Sequence, residues 1–165
     1  MVKKNLKKII LVSLLAAMSI VLGKVLNISI GTSIRISFES LPIIISSVFL
    51  GPVYGLLSGL VADIIGCFIV GYEINPIITL GCSLMGFFPY IFMIKRKPAF
   101  IFVAVILSHI ICSMLIKTLG LHIYYGGGMA LFCTRVGVYS LVAPVEAYIV
   151  FVLEKTIGKR LRDEL

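Results

Sequence analysis

Apolar runs long enough to cross a lipid bilayer occupy most of this chain. A bilayer core about 30 Å thick needs roughly 20 helical residues. Six stretches approach that length: 9–26, 34–50, 52–71, 74–94, 99–118 and 129–153. Gly51-Pro52 makes a tight turn between the second and third, and Tyr72-Glu73-Ile74-Asn75-Pro76 punctuates the third and fourth. Lys95-Arg96-Lys97-Pro98 and the stretch Gly120 to Gly128 separate the remaining runs. With 60% hydrophobic and 13% charged residues, a soluble fold could not cover its apolar surface; soluble domains are about 45–50% apolar. The sequence predicts an all-α integral membrane protein: a single membrane domain, 1–165, with six transmembrane helices in one bundle.

The net charge of +8 does not indicate a nucleic-acid surface, because the basic residues cluster at the flanks of the apolar runs. Lys3, Lys4, Lys7 and Lys8 precede the first run, Lys95, Arg96 and Lys97 follow the fourth, and Lys155, Lys159, Arg160 and Arg162 follow the last. An even number of spans puts these eleven on one side, which the positive-inside rule assigns to the cytoplasm. The expected placement is a multi-pass cell-membrane protein with both termini cytoplasmic. Lys24 and Asn27 close the first run without a small-x-small cleavage site, so it reads as a retained helix rather than a signal peptide. Cys67, Cys82, Cys112 and Cys133 lie in apolar runs, lack C-x-x-C spacing and read as small buried residues. No metal site is expected.

The remaining four basic residues, Lys24, Arg35, Lys117 and Arg135, fall near the opposite face. Glu39 and Asp63 lie in the same half, and Tyr72, Glu73, Asn75, His122, Tyr124 and Tyr125 fall in loops there. Ionisable groups inside membrane segments usually face a cavity or a partner, so this asymmetry predicts a polar pocket opening outward. Arg35 and Glu39, four apart, are expected to pair on one helix face. Arg135 is expected to meet Asp63, Glu39 or a ligand anion. Lys117 reads either as a snorkelling interfacial lysine or as a pocket residue. Asn75, before Pro76, reads as a cap for the fourth span, and Glu73 as solvated. Glu146, in the inner half of the sixth span, has no assigned role.

Gly51, Gly55, Gly59 and Asp63 recur every four residues, with Ser58, Ala62 and Gly66 in parallel. Such spacing lets helix backbones approach closely. In the first span Ser13, Ala16, Ala17 and Gly23 share one arc, interrupted by Ile20; the arc could pack internally or dock a partner subunit. No P-loop, nucleophile elbow or HExxH motif is present, so neither ATP binding by a P-loop nor an intramembrane enzyme is indicated.

The third-span pattern Gly51-Pro52, Gly55, Gly59, Asp63, Gly66, with six spans and a small-residue first helix, resembles the substrate-binding S components of energy-coupling-factor (ECF) transporters. The segment Arg35-Ile36-Ser37-Phe38-Glu39-Ser40-Leu41-Pro42 resembles their folate-specific subfamily. The resemblance implies a vitamin-binding subunit with no catalytic residues and no cofactor, folate being cargo. It implies a membrane coupling subunit and two cytoplasmic ATPase subunits as partners. Ser13, Ala16, Ala17 and Gly23 would carry the coupling-subunit interface. The expected ligand-binding residues are Arg35, Ser37, Phe38, Glu39, Asp63, Tyr72, Asn75, Lys117, Tyr125 and Arg135. In that scheme Glu39 or Asp63 receives pterin donors, Arg35, Arg135 or Lys117 takes the glutamate tail, and Phe38, Tyr72 and Tyr125 stack on the rings. The alternatives are an S component for pantothenate, thiamine or a queuosine precursor, and an autonomous secondary transporter.

Overall fold

The computed structural model describes residues 2–30, 34–93, 98–126 and 128–164. The first helix, α1 (Val2–Ile20), runs on into a π-helical turn, Val21–Val25, closed by Leu26 N–H donating to the Val21 carbonyl at 2.9 Å. Two short antiparallel strands follow, β1 (Ile28–Ile30) and β2 (Ile34–Ile36), with Ser29 opposite Arg35. The helices α2 (Ser40–Leu50), α3 (Pro52–Val70) and α4 (Pro76–Phe92) are joined by short connections. The helix α5 (Pro98–Ser108) continues through a π-helical stretch, His109–Ile116, into α6 (Lys117–Tyr125). The long α7 (Met129–Glu164) ends the fold.

The architecture is nearly all-helical, as expected, but two boundaries differ in ways that move functional residues. The second span does not begin at residue 34. Ile34-Arg35-Ile36 alternates in polarity as a strand does and pairs with Ile28-Ser29-Ile30. Arg35 is therefore on a hairpin and Glu39 at the N-cap of α2, so these two do not share one helix face as expected. The fifth helix does not stop at 118. It passes Gly120 and ends where Gly126 turns left-handed at φ 69°, which places His122, Tyr124 and Tyr125 on a helix rather than in a loop. Gly120 is not a breaker because it seats the helix against Ile77 and Ile78 of α4.

Four helical segments among the described residues are long and apolar enough to cross a membrane: Asn5–Val25, Pro52–Val70, Phe100–Tyr124 and Met129–Gly158. The apolar helices Ser40–Leu50 and Pro76–Phe92 are shorter. At 1.5 Å per residue, α2 is roughly 16 Å long, about half a bilayer core. Large apolar side chains such as Phe68 and Leu141 face outward, as lipid-facing positions do.

The tightest seam joins α3 to α4. A Cβ on Gly55 would strike the Gly86 carbonyl oxygen, and one on Gly59 would strike the Cys82 carbonyl oxygen. Gly55 and Gly59 of the glycine ladder thus serve backbone-to-backbone packing, as their spacing predicts. The partner of Gly55 on the other helix, Gly86, did not stand out in the sequence. Ile44, Val48, Met85, Val105, Ala147 and Val150 form the main apolar core between α2, α4, α5 and α7. Cys67, Cys82 and Cys112 are buried as expected, whereas Cys133 is exposed on α7.

Candidate ligand-binding site

A cluster of charged side chains is held where α1 ends, α2 begins and α3 and α4 meet. A small cavity there is lined by Ser19, Ile20 and Lys24 from the end of the first helix, and by Glu39 and Ile43 at the start of the second. Ala62 and Asp63 from α3 and Cys82 from α4 complete the lining. It holds about 10 Å³, room for roughly one water. Around it Glu39 Oε1 accepts from Lys117 Nζ at 3.1 Å. The Lys117 side chain is 5% exposed and that of Glu39 26%, so Lys117 is a buried ion-pair partner and not a snorkelling residue. A buried ammonium needs such a partner, because desolvating it alone is costly.

Asp63 is held differently. Its Oδ2 accepts from the Thr79 hydroxyl at 2.7 Å and its Oδ1 lies 3.4 Å from the Cys82 thiol. Neither donor carries a charge. Asn75 supports this arrangement from one turn below Thr79: its Oδ1 caps α4 by accepting from the N–H groups of Ile77 and Ile78, and its Nδ2 donates to the Gly120 carbonyl at 3.2 Å. The capping role read from Asn75-Pro76 is therefore present, and the same side chain also ties α4 to α6.

Glycines make room for the charged groups. A Cβ on Gly23 would lie 2.8 Å from both Cβ and Oε2 of Glu39, one on Gly66 2.9 Å from Lys24 Cε, and one on Gly81 2.8 Å from Lys117 Cγ. Each of the three long side chains thus crosses a neighbouring helix where no side chain stands. Gly23 and Ala16 are buried within the chain, so these two members of the expected partner-facing arc turn inward. Ser13 and Ala17 remain exposed on the outer face of α1, beside Leu14, Met18 and Val21. The arc divides because the residues spread across about 120°, wider than one contact face.

Among the described residues Arg135 meets no carboxylate. Its Nη2 donates to the Ser113 carbonyl at 3.2 Å and lies 3.4 Å from the Tyr139 hydroxyl, with the guanidinium 5.2 Å from the Tyr139 ring centre. Its Nε is buried without a hydrogen-bond partner among the described residues. Thr118 also donates to the Ser113 carbonyl, at 3.2 Å. Thr118 lines a second, more open cavity of about 350 Å³ between α6 and α7, otherwise walled chiefly by Met114, Leu115, Leu119, His122, Met129 and Phe132. Small-molecule sites are typically about 300–1,000 Å³, so this groove has the size the small polar cavity lacks.

Of the expected site residues, the structure brings together Glu39, Asp63 and Lys117, with Asn75 behind them. Ser37 and Phe38 are half-buried just before α2. Tyr72 is exposed, with Lys24 Nζ 5.6 Å from its ring centre, and Glu73 is exposed as expected. The side chains of Arg35 and Tyr125 lie outside the described residues. Sequence reasoning passed over Ser19, Thr79 and Cys82 as site residues. Lys24 was recognised as an outer base but not placed in the pocket. The small polar residues carried no signal of their own; their role follows only from which helix faces Asp63.

The family model for the ECF transporter substrate-specific component matches residues 7–156. This chain belongs to that family. Membership implies a small-molecule substrate and partner membrane modules, and identifies the chain as a transporter component that binds substrate. The fold is similar to the crystal structure of FolT bound with folic acid, with a TM-score of 0.75, 22% identity, and coverage of 91% of this chain and 93% of FolT. It is also similar to ThiT from Listeria monocytogenes, with a TM-score of 0.73, 20% identity, and coverage of 96% of this chain and 98% of ThiT. No sequence among the curated proteins matches it.

Proposed function

We propose that this ECF substrate-specific component captures folate, or a closely related vitamin carrying both a flat polar ring and carboxylates. The observation that carries the reading is the pairing of a buried acid–base cluster with a nearby apolar groove. Glu39 and Asp63 supply acceptors for the ring N–H groups. Lys117 holds Glu39 in place for the ring, and Arg135 supplies positive charge for the carboxylate tail, its unfilled Nε being a donor of the kind a carboxylate takes. The groove beside Thr118 suits the aromatic middle of such a ligand in size and polarity. The folate-bound FolT neighbour supports the same choice. In this account the site opens outward, both termini face the cytoplasm, and a membrane coupling subunit with two ATPase subunits provides the energy. The exposed Ser13–Ala17 face of α1 meets the coupling subunit.

A second reading, thiamine, is favoured by one feature. Among the described residues the hydrogen-bond donors to Asp63 are the neutral Thr79 and Cys82, which leaves its charge for a cationic ligand, although Lys24 lines the same cavity. The ThiT neighbour points the same way. Mass spectrometry of ligand retained on the purified protein separates these readings. Folate is the expected finding, and retained thiamine would replace the first proposal with the second. Isothermal titration with folic acid and with thiamine checks the same point on ligand-free protein.

A further inference from the structure

Glu146 on α7 is completely buried, as is His109 in the π-helical stretch. Glu146 Oε2 lies 2.8 Å from His109 Nε2, and its Oε1 accepts from the Ser40 hydroxyl at 2.8 Å. The other ring nitrogen of His109 faces the Ser113 hydroxyl at 3.5 Å, and its ring lies 5.6 Å from that of Tyr139. Nothing in substrate capture as described above uses this cluster. Buried ionisable pairs are poor stabilising devices, since well-packed apolar residues often do as well or better. In some proteins such groups are retained because they fix one arrangement among several.

The arrangement fixed here is the start of α2. This helix has no side-chain cap and no acidic residue in its first turn. Glu146 brings a carboxylate to the first helical residue, Ser40, where the helix dipole favours negative charge. Immediately before Ser40 stands Glu39. Its carbonyl accepts from the Ser19 hydroxyl at 2.6 Å, and its side chain pairs with Lys117. The beginning of α2 is thus held from α1, from α6 and, through Ser40, from α7.

We propose that Glu146, oriented by His109, is a positioning residue for the ligand site: it fixes the start of α2 so that Glu39 stays aimed at Lys117 and the cavity. The inference rests on the Glu39 cavity being the ligand site. It couples the placement of α7 to the binding residues, although none of the described residues lining the small cavity comes from α7.

The test uses Ser40→Ala, Glu146→Gln and the double variant His109→Leu/Glu146→Leu in the full-length protein. Glutamine keeps an acceptor for Ser40 and a donor for His109, and so serves as the conservative rescue. The first readout needs no ligand. Cys82 lines the cavity and Cys112 sits in the apolar core, so their labelling by a small methanethiosulfonate reagent, resolved by mass spectrometry, separates local opening from general loosening. Ser40→Ala and the double variant are expected to speed Cys82 labelling about tenfold, comparable to the loss of one hydrogen bond to a charged group. Cys112 labelling should stay near wild type, the melting temperature should fall by only about 3–6 °C, and Glu146→Gln should label as wild type. The second readout is the Kd for folic acid and for thiamine, expected to weaken by a similar factor in the same variants. Unchanged Cys82 labelling in Ser40→Ala, or Cys82 and Cys112 labelling rising together, overturns the positioning role. If the wild-type protein binds neither vitamin, the substrate proposal fails while the labelling result still decides the positioning role.

Discussion

The two halves of α3 use the same residue type for opposite purposes. In the first half, Gly55 and Gly59 press directly on the backbone of α4, and the missing side chains allow two helices to touch. In the second half, Gly66 faces not a backbone but the flexible stem of Lys24, and Asp63 looks into a cavity. The first half closes the bundle and the second makes space within it. A glycine ladder at constant spacing therefore does not define one function; what stands opposite each glycine does.

The sharpest way to break this comparison is Gly55→Ala. Its added methyl meets a carbonyl oxygen that cannot move without shifting α4, so a loss of about 3 kcal/mol or more is expected, at the upper end of overpacking costs. Thermal unfolding in detergent measures it, and a melting temperature equal to wild type would show that the seam can open freely. Next in size is Lys117→Met, which removes one partner of the Glu39 pair. Breaking a buried pair costs about 3–5 kcal/mol, and the 26% exposure of Glu39 puts this case at or below the lower end. Folic acid affinity should fall with it, read by titration calorimetry. Ala17→Trp leaves ligand binding near normal, because Ala17 is on the exposed face of α1. It should lower uptake several-fold in vesicles that contain the coupling and ATPase subunits. The smallest stability effect is expected for Gly66→Ala, where the Lys24 stem can give way. A change within about 1 kcal/mol is predicted, so a loss equal to that of Gly55→Ala would erase the distinction between the two halves of α3.

Much of the bundle was legible because the bilayer imposes length and apolarity on every spanning segment. The turn at Gly51-Pro52 and the cap at Asn75-Pro76 were legible for local reasons, since proline and asparagine have strong positional preferences at helix starts. The start of α2 was not. Ile34-Arg35-Ile36 is apolar enough to extend a helix, and only pairing with a segment several residues earlier makes it a strand. The continuation of α6 past Gly120 was missed for a related reason, because glycine breaks a helix only when no neighbour needs its small size.

In the site, charge was the readable signal. Glu39, Asp63 and Lys117 stand out in apolar sequence, and the structure gathers them. Their pairing was not readable, because partners such as Lys117 and Glu39 lie 78 positions apart. Arg135 illustrates the converse. Its depth suggested a carboxylate partner, yet a carbonyl left accessible at Ser113, within a π-helical stretch, takes its place.

If the Glu39–Lys117 pair and Asp63 form the vitamin site, removing the Asp63 charge must weaken ligand binding. Calorimetric titration of folic acid into the wild-type protein and into Asp63→Asn tests it most directly. The wild type is expected to bind saturably, one to one, and the variant at least about tenfold more weakly, the loss expected for one hydrogen bond to a charged group. Equal dissociation constants for the two proteins would contradict it.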